Sequence, residues 1–129
     1  MPIPITGLRW RFRRISGSVD LDAGETGGGT VYTCPDGRKA VILAVSVRNS
    51  SPVSGSWVKA SAYLGAPGAE LLAESDTVHT YVDGAKEVIA QKFGIWLVMH
   101  PGDEIHVGGY NADTSPHVLS WCISLMEVL

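Results

Sequence analysis

The sequence predicts an all-β protein, namely an antiparallel, jelly-roll-like β-sandwich with an extended N-terminal arm. About eight short runs of alternating apolar residues follow one another, and clusters of Gly, Pro, Asp and Asn separate them. The run with the best helix formers, 69–74, is too short to hold a helix by itself. With 129 residues, the chain fits one domain that can bury a proper core. We expect residues 28–129 to form the sandwich and residues 1–27 to form the arm and a Gly-rich linker.

The N-terminal segment differs from the rest of the chain because basic and aromatic residues alternate in it. In an extended conformation, Trp10 and Phe12 would lie on one face and the neighbouring arginines on the other. One interpretation is an edge strand whose charges discourage aggregation at the sheet edge. The other is a docking arm, since aromatic and Arg side chains are enriched at protein interfaces. The docking arm would comprise Arg9, Trp10, Arg11, Phe12, Arg13 and Arg14.

Charge and hydropathy argue against two classes of partner. The net charge of the chain is −3, and the part outside the arm is more acidic still, so we expect no nucleic-acid binding. No apolar stretch approaches the roughly 18 residues of a membrane-spanning helix, and the N-terminus lacks the apolar region of a signal peptide. We therefore expect no membrane association and a soluble protein made in a reducing cytoplasm. Cys34 and Cys122 are interpreted as buried free thiols, with a disulfide between them as the alternative.

The stretch 30–49 is the one around which the predicted domain is organised. Residues 30–33 are β-branched or aromatic, as strands prefer. Residues 35–37, Pro-Asp-Gly, have the composition of a tight turn. The stretch therefore predicts a β-hairpin whose second strand alternates with period two. The residues predicted to face the core are Val41, Leu43, Val45 and Val47, with Ile42, Ala44 and Ser46 on the opposite face.

Later runs predict further strands, two of them with large aromatic residues on the outward face. Residues 57–64 place small apolar side chains on one face, and residues 86–91 and 93–99 are two separate runs. The second of these is apolar on both faces, which indicates cover by the core on one side and by a partner subunit or a second sheet on the other. The last strand, 117–129, is apolar enough to be expected in the middle of a sheet.

The outward aromatic and apolar residues are the strongest functional signal that the residues themselves carry. They form either an oligomer or partner interface or, if they stack on one sheet, a sugar-binding platform. The residues concerned are Trp57, Tyr63, Trp96 and Val98.

Catalysis, metal binding and cofactors are not expected. The chain has no Gly-x-Ser-x-Gly nucleophile motif and no complete acid/base set. His79, Glu87 and His106 form the one plausible ligand set for a metal inside a β-barrel, but the chain has no paired His-x-His, and a Gly-containing turn interrupts the set. Histidines that are solvated or hydrogen-bonded at the surface are the more common arrangement.

Several of these patterns, taken in order, resemble one protein family. Residues 29–42, GTVYTCPDGRKAVI, lead into residues 45–51, VSVRNSS, and a Pro-Gly-Asp turn at 101–103 follows a later apolar strand. With the final apolar strand at 117–128, this order resembles small β-sandwich virion structural proteins of tailed bacteriophages, of the capsid decoration or minor tail type. The resemblance covers about residues 28–128.

The resemblance implies a non-enzymatic virion component, attached to the capsid surface or to the tail. It implies major capsid or tail proteins as partners, a homo-oligomer with a trimer favoured, and a virion location after synthesis in the host bacterial cytoplasm. The chain differs from the family pattern at Cys34, where Val is usual, and in the basic arm. A lectin-like or receptor-binding module that recognises host glycans is the alternative.

Overall fold

The computed structural model describes residues 9–49, 57–65, 70–74, 78–79 and 88–128. These residues form nine strands and no helix that could cross a membrane. The strands are β1 (Trp10–Leu21), β2 (Thr26–Thr33), β3 (Lys39–Asn49), β4 (Trp57–Leu64), β5 (Glu70–Glu74), β6 (Val78–His79), β7 (Val88–Met99), β8 (Glu104–Asn111) and β9 (His117–Val128).

The strands form two antiparallel sheets that pack as a sandwich. The first sheet has the order β1-β9-β3-β7, and the second has the order β2-β8-β4-β5, with β6 beside β4. The first strand therefore pairs with the last, the second with the second-to-last and the third with β7. This is the arrangement of a long antiparallel ribbon rolled into a jelly roll. The predicted fold class is confirmed.

The core lies between the two sheets and comes from alternate positions of most strands. The inward face predicted for residues 57–64 is confirmed for Val58, Ala60 and Ala62, which are fully buried, while Leu64 is partly buried. Strand β9 lies between β1 and β3, as predicted for an apolar closing strand. The fully or nearly buried apolar residues include Leu21, Ile42, Val45, Val47, Met99, Ile105, Val107, Leu119, Ile123 and Leu125.

The predicted β-hairpin over residues 30–49 is wrong, because β2 and β3 lie in different sheets. The Pro35–Gly37 segment is a turn, but it carries the chain from one sheet to the other. The Cys34 amide donates to the Asp103 carbonyl at 2.8 Å, and the Gly102 amide donates to the Cys34 carbonyl at 2.9 Å. The turn is therefore held against the β7–β8 connection. Its residues specify that the chain changes direction, but they do not specify which strands pair.

The predicted inward face of β3 is right in its second half and wrong in its first. Ala40, Ile42, Val45 and Val47 are buried, whereas Val41 and Leu43 are only partly covered. The register of β3 with both neighbours shifts between Ile42 and Ala44. A β-bulge at this point inserts one extra residue, so the face that points inward changes along the strand.

The N-terminal segment is an edge strand of the first sheet. Residues of β1 pair one for one with β9, from Trp10 opposite Val128 to Leu21 opposite His117. The edge-strand interpretation is confirmed, and the proposed separation of a 1–27 arm from a 28–129 domain does not describe this structure. Pairing with β9 satisfies backbone hydrogen-bonding groups of this segment and buries its inward apolar side chains. The paired strand is therefore lower in free energy than a separate arm. Residues 1–8 lie outside the described residues.

Residues 88–91 of the first predicted run and residues 93–99 of the second belong to one strand, β7, and residues 86–87 lie outside the described residues. Gly94 and Trp96 have φ values of +66° and +53°, and three residues of β7 lie opposite the single residue Leu43. The apparent break is therefore a bulge within a strand. A left-handed φ at a bulky residue such as Trp96 costs on the order of 1–3 kcal/mol and marks a constrained backbone.

Both cysteines are free, as predicted. Cys34 is buried beside the turn, and Cys122 is half-buried on the outer side of the first sheet. Burial raises the pKa of the Cys34 thiol, with a smaller contribution from the Asp103 and Glu127 carboxylates. Cys34 therefore stays protonated at neutral pH and behaves as a small apolar residue.

Candidate functional site

The outer face of the first sheet carries a row of apolar side chains that crosses every strand of that sheet. Phe12 pairs with Met126, Met126 with Val41, and Val41 with Val98. Phe12 and Val98 are 73% and 47% exposed, and the two central residues are half-buried. Since paired residues on one face have Cβ atoms roughly 5 Å apart, these four side chains form a continuous band.

Further aromatic residues widen this band. Trp10, in the adjacent row, is 49% exposed, and Phe93, which pairs with Ala44, is 72% exposed. Trp96 is 67% exposed at the bulge of β7. We call these seven residues the apolar face: Trp10, Phe12, Val41, Phe93, Trp96, Val98 and Met126. Large exposed apolar patches in soluble proteins mark surfaces that contact another macromolecule.

Two arginines that the docking-arm hypothesis assigned to a partner have an internal role instead. Arg11 and Arg13 leave β1 on the side opposite Phe12 and reach Glu127, which is completely buried. The Arg11 Nη2–Glu127 Oε1 distance is 2.8 Å, and the Arg13 Nη1–Glu127 Oε2 distance is 3.3 Å. The Tyr32 hydroxyl donates to Glu127 Oε2 at 2.8 Å. These contacts compensate a buried charge that would otherwise be costly.

The electrostatics of this cluster keep Glu127 ionised. Burial by itself would raise the pKa of Glu127, but hydrogen bonds from Arg11 and Tyr32 and the charges of both arginines outweigh it, so the pKa lies below its ordinary value. Burial and the hydrogen bond to Glu127 raise the pKa of the Tyr32 hydroxyl. The cluster therefore ties β1 to β9 and, through Tyr32, to the second sheet.

The other residues of the predicted docking arm lie at or near the apolar face. Arg14 lies on the outer side of β1, and its Nε donates to Cys122 Sγ at 3.1 Å. This hydrogen bond raises the pKa of Arg14 above its ordinary value, so the guanidinium stays charged. Arg9 is exposed just before β1. Trp10, Phe12 and Arg14 thus share the outer face, while Arg11 and Arg13 do not.

The outward residues predicted to share one surface belong to two surfaces. Trp96 and Val98 lie in the first sheet, whereas Trp57 and Tyr63 belong to β4 in the second sheet. The side chain of Trp57 lies outside what the structure describes. A single platform of Trp57, Tyr63 and Trp96 is therefore wrong. Trp96 and Val98 are exposed, as alternation predicted, but only the topology determines which sheet a residue belongs to.

A buried polar cluster secures the β8–β9 connection. His117 Nε2 lies 2.7 Å from Asp113 Oδ2, and both side chains are buried. Asn111 Nδ2 donates to the Leu21 and Ser115 carbonyls at 3.2 and 2.9 Å. These hydrogen bonds satisfy buried polar groups of the β8–β9 connection, so the cluster has a structural role.

The weak metal hypothesis gains no support from the part of the chain that is described. Within that part, no group of three or more His, Cys, Asp and Glu side chains could hold a metal ion. The side chain of His79 and the whole of Glu87 lie outside it. His106 lies in β8 and lines a depression on the second sheet.

No protein-family model matches the chain, and no curated protein matches its sequence. Among solved structures, this chain is similar to a protein chain in the atomic structure of Sulfolobus Turreted Icosahedral Virus. The TM-score is 0.58 at 10% identity, and the match covers 92% of this chain and 29% of that chain. A chain in a structure described as the triple jelly roll fold and turret assembly of an archaeal virus gives a TM-score of 0.54, again at 10% identity over 92% of this chain and 29% of that chain.

A third similar chain comes from the capsid asymmetric unit of cyanophage Pam1. Its TM-score is 0.51 at 17% identity, over 100% of this chain and 91% of that chain. The present chain therefore spans less than a third of the first two of these chains and most of the cyanophage chain. At these identities the similarity shows the jelly-roll fold alone.

Proposed function

We propose that this chain is a non-enzymatic structural protein of a virus particle, specifically of a tailed bacteriophage. It attaches to the capsid surface as a decoration protein or to the tail as a minor tail protein. The observation that carries the proposal is the apolar face, which crosses the whole first sheet and is too large and too aromatic for an isolated surface. The jelly-roll fold, which the chain shares with chains of virus particles, supports it.

The apolar face has the composition of an interface core. Phe12, Phe93 and Trp96 are each about two-thirds or more exposed, so each has on the order of 100 Å² to bury. At about 25 cal/mol per Å², each ring would contribute roughly 2–3 kcal/mol before the entropic cost of association. Arg9 and Arg14 at the margin supply charges that suit an acidic neighbour. The partner is a major capsid or tail protein, a further copy of this chain in a trimer, or both.

The test is incorporation into particles. Phe12→Thr and Trp96→Asn together remove two large rings while keeping residue types suited to a strand and to a left-handed φ. We expect this variant to fold and to fall about tenfold or more in copies per particle, measured by quantitative mass spectrometry on purified virions. Tyr110→Thr, on the outer face of the other sheet, is the matched control and should be incorporated normally.

The same measurement distinguishes the two attachment sites. Copy numbers on the scale of the major capsid protein indicate decoration, and a few to some tens indicate a tail component. Absence of the wild-type chain from purified particles, or full incorporation of a folded Phe12→Thr/Trp96→Asn variant, would overturn the proposal.

A further inference from the structure

The outer face of the second sheet carries a depression of about 250 Å³ whose shape follows from strand register. One row across the sheet contains Lys59 opposite Tyr110, and another contains Tyr63 opposite His106. Between them lies a row in which Ser61 pairs with Gly108, and Gly108 with Gly28. The two side-chain rows are four residues apart, or about 13 Å. Across β2, β8 and β4, the row between them carries nothing larger than a serine.

The glycines of this floor are required by backbone contact. A Cβ on Gly108 would lie 2.2 Å from the Gly27 carbonyl oxygen, and one on Gly109 would lie 1.9 Å from that of Lys59. Strands β2, β8 and β4 therefore approach one another more closely than residues with side chains allow. The consequence at the surface is a trough with bare backbone at its base and two tyrosines at its ends.

The lining differs in chemistry from the apolar face on the other sheet. Each non-glycine side chain that lines the depression carries an oxygen or nitrogen atom, and none is aliphatic. Two of these side chains are tyrosine rings, and Tyr110 is 37% exposed. An apolar protein segment would leave these polar groups poorly paired on binding. A ligand with both an apolar face and many hydroxyl groups would satisfy rings and polar atoms together.

We propose that this trough binds hexopyranose rings of a glycan. The C–H faces of two sugar rings of one glycan pack on the Tyr63 and Tyr110 rings, one on each, because each tyrosine ring presents a negative face to positively polarised hydrogens. Lys59 and His106 donate to or accept from the sugar hydroxyls. The Ser61 hydroxyl is mostly buried and donates to the Gly108 carbonyl at 3.5 Å, so it takes part only as an acceptor. Because the row between the two side-chain rows has only small side chains, a sugar ring can approach the backbone there.

The position of the trough is compatible with the proposed function and independent of it. The two sheets lie back to back, so their outer faces point in opposite directions. If the apolar face lies against a particle, the trough faces outward, where a glycan on a cell surface could reach it. The trough does not need a particle to bind sugar, so the two proposals can fail separately.

The test uses the isolated full-length chain and four named probes: maltohexaose, cellohexaose, chitohexaose and a galacturonic acid hexamer. Saturation-transfer difference NMR identifies binders, and isothermal titration calorimetry measures their Kd. We expect at least one neutral hexamer to bind with a Kd below about 1 mM. Tyr63→Ala and Tyr110→Ala should each weaken it about tenfold or more, whereas Trp96→Asn, on the other sheet, should leave the Kd unchanged.

Folding of each variant is checked by thermal unfolding, and Lys59→Ala provides a second probe of the trough that leaves both rings in place. Binding only of the acidic hexamer, lost in Lys59→Ala but kept in both tyrosine variants, would overturn stacking as the mode of recognition. No binding to any of the four probes, or binding that all three trough variants leave unchanged, would overturn the site itself. Neither result affects the measurement of copies per particle.

Discussion

At the scale of single residues, Glu127 has the largest structural consequence. It occupies an inward position of β9, in the same alternation as Leu125 and Ile123, where an apolar residue would be expected. Its carboxylate is tolerated because Arg11, Arg13 and Tyr32 all reach it. The signal was present in the sequence, since an acidic residue in the inward register of an apolar strand requires a cationic partner. The alternating arginines of residues 9–14 are the densest cationic segment in the chain.

The lowered pKa of Glu127 predicts acid sensitivity with a definite sign. Because the folded-state pKa lies below the unfolded value of about 4.3, the ion cluster contributes its full stability above that value and loses it as the pH falls through the folded-state pKa. Glu127→Gln should lower the free energy of unfolding by about 1–3 kcal/mol at pH 7, discounted because both arginines are partly exposed.

Urea unfolding at pH 7 and at about pH 3 measures this effect. The difference between wild type and Glu127→Gln should shrink at the lower pH, because protonation removes the same charge from the wild type. Tyr32→Phe, which removes one of the hydrogen bonds that lower the pKa of Glu127 but leaves the charge in place, is the comparison, and its destabilisation should depend on pH less than that of Glu127→Gln. An equal difference at both pH values would contradict this role for Glu127.

At the scale of elements, both faces of the amphipathic strand β1 have a role. Its even-numbered residues Trp10 and Phe12 extend the outer apolar face, and its odd-numbered residues Arg11 and Arg13 reach the buried Glu127. The alternation of basic and aromatic residues, which led to the docking-arm hypothesis, is thus explained by an edge strand with two different faces. What alternation by itself could not indicate is that the partner of the arginines lies in the same chain.

Deleting residues 1–14 should therefore destabilise the fold. The deletion removes residues 10–14 of β1, exposes the edge of β9 and leaves Tyr32 as the side-chain partner of Glu127 within the described part of the chain. We expect a loss of about 3–5 kcal/mol in the free energy of unfolding, measured by urea titration, together with aggregation in size-exclusion chromatography.

The double variant Arg11→Ser/Arg13→Ser separates the two contributions, because it keeps the strand and removes only the cations. It should be destabilised less than the truncated chain and should remain monodisperse. A truncated chain as stable as the wild type would restore the interpretation of residues 1–14 as a separable arm.

At the scale of the whole molecule, the two outer faces of the sandwich differ in chemistry. The first sheet presents Phe12, Phe93 and Trp96, and the second presents a trough between Tyr63 and Tyr110 that is lined by both aromatic and polar groups. A β-sandwich places such faces back to back, so one molecule can contact two different surroundings at once. This difference between the two faces underlies both the proposed attachment to a particle and the proposed glycan site.

Hydroxyl-radical footprinting of particles and of the isolated chain tests this orientation. Oxidation of Phe12, Phe93, Trp96 and Met126 should fall at least severalfold in the particle, because the apolar face is then buried, while oxidation of Tyr63 and Tyr110 should change little. Quantitative peptide mass spectrometry gives both values from one sample. Protection of the two tyrosines with continued oxidation of Trp96 would reverse the orientation.

Local pattern was sufficient to predict the class of fold, the inward face of β4 and the outward position of Trp96 and Val98. Period-two alternation and turn residues are properties of neighbouring positions, and they depend only on the geometry of an extended chain. Tertiary structure was needed to assign β2 and β3 to different sheets, to place the bulge after Ile42 and to bring Arg11 to Glu127. These features depend on pairing between distant residues, such as Trp10 with Val128, which no local window contains.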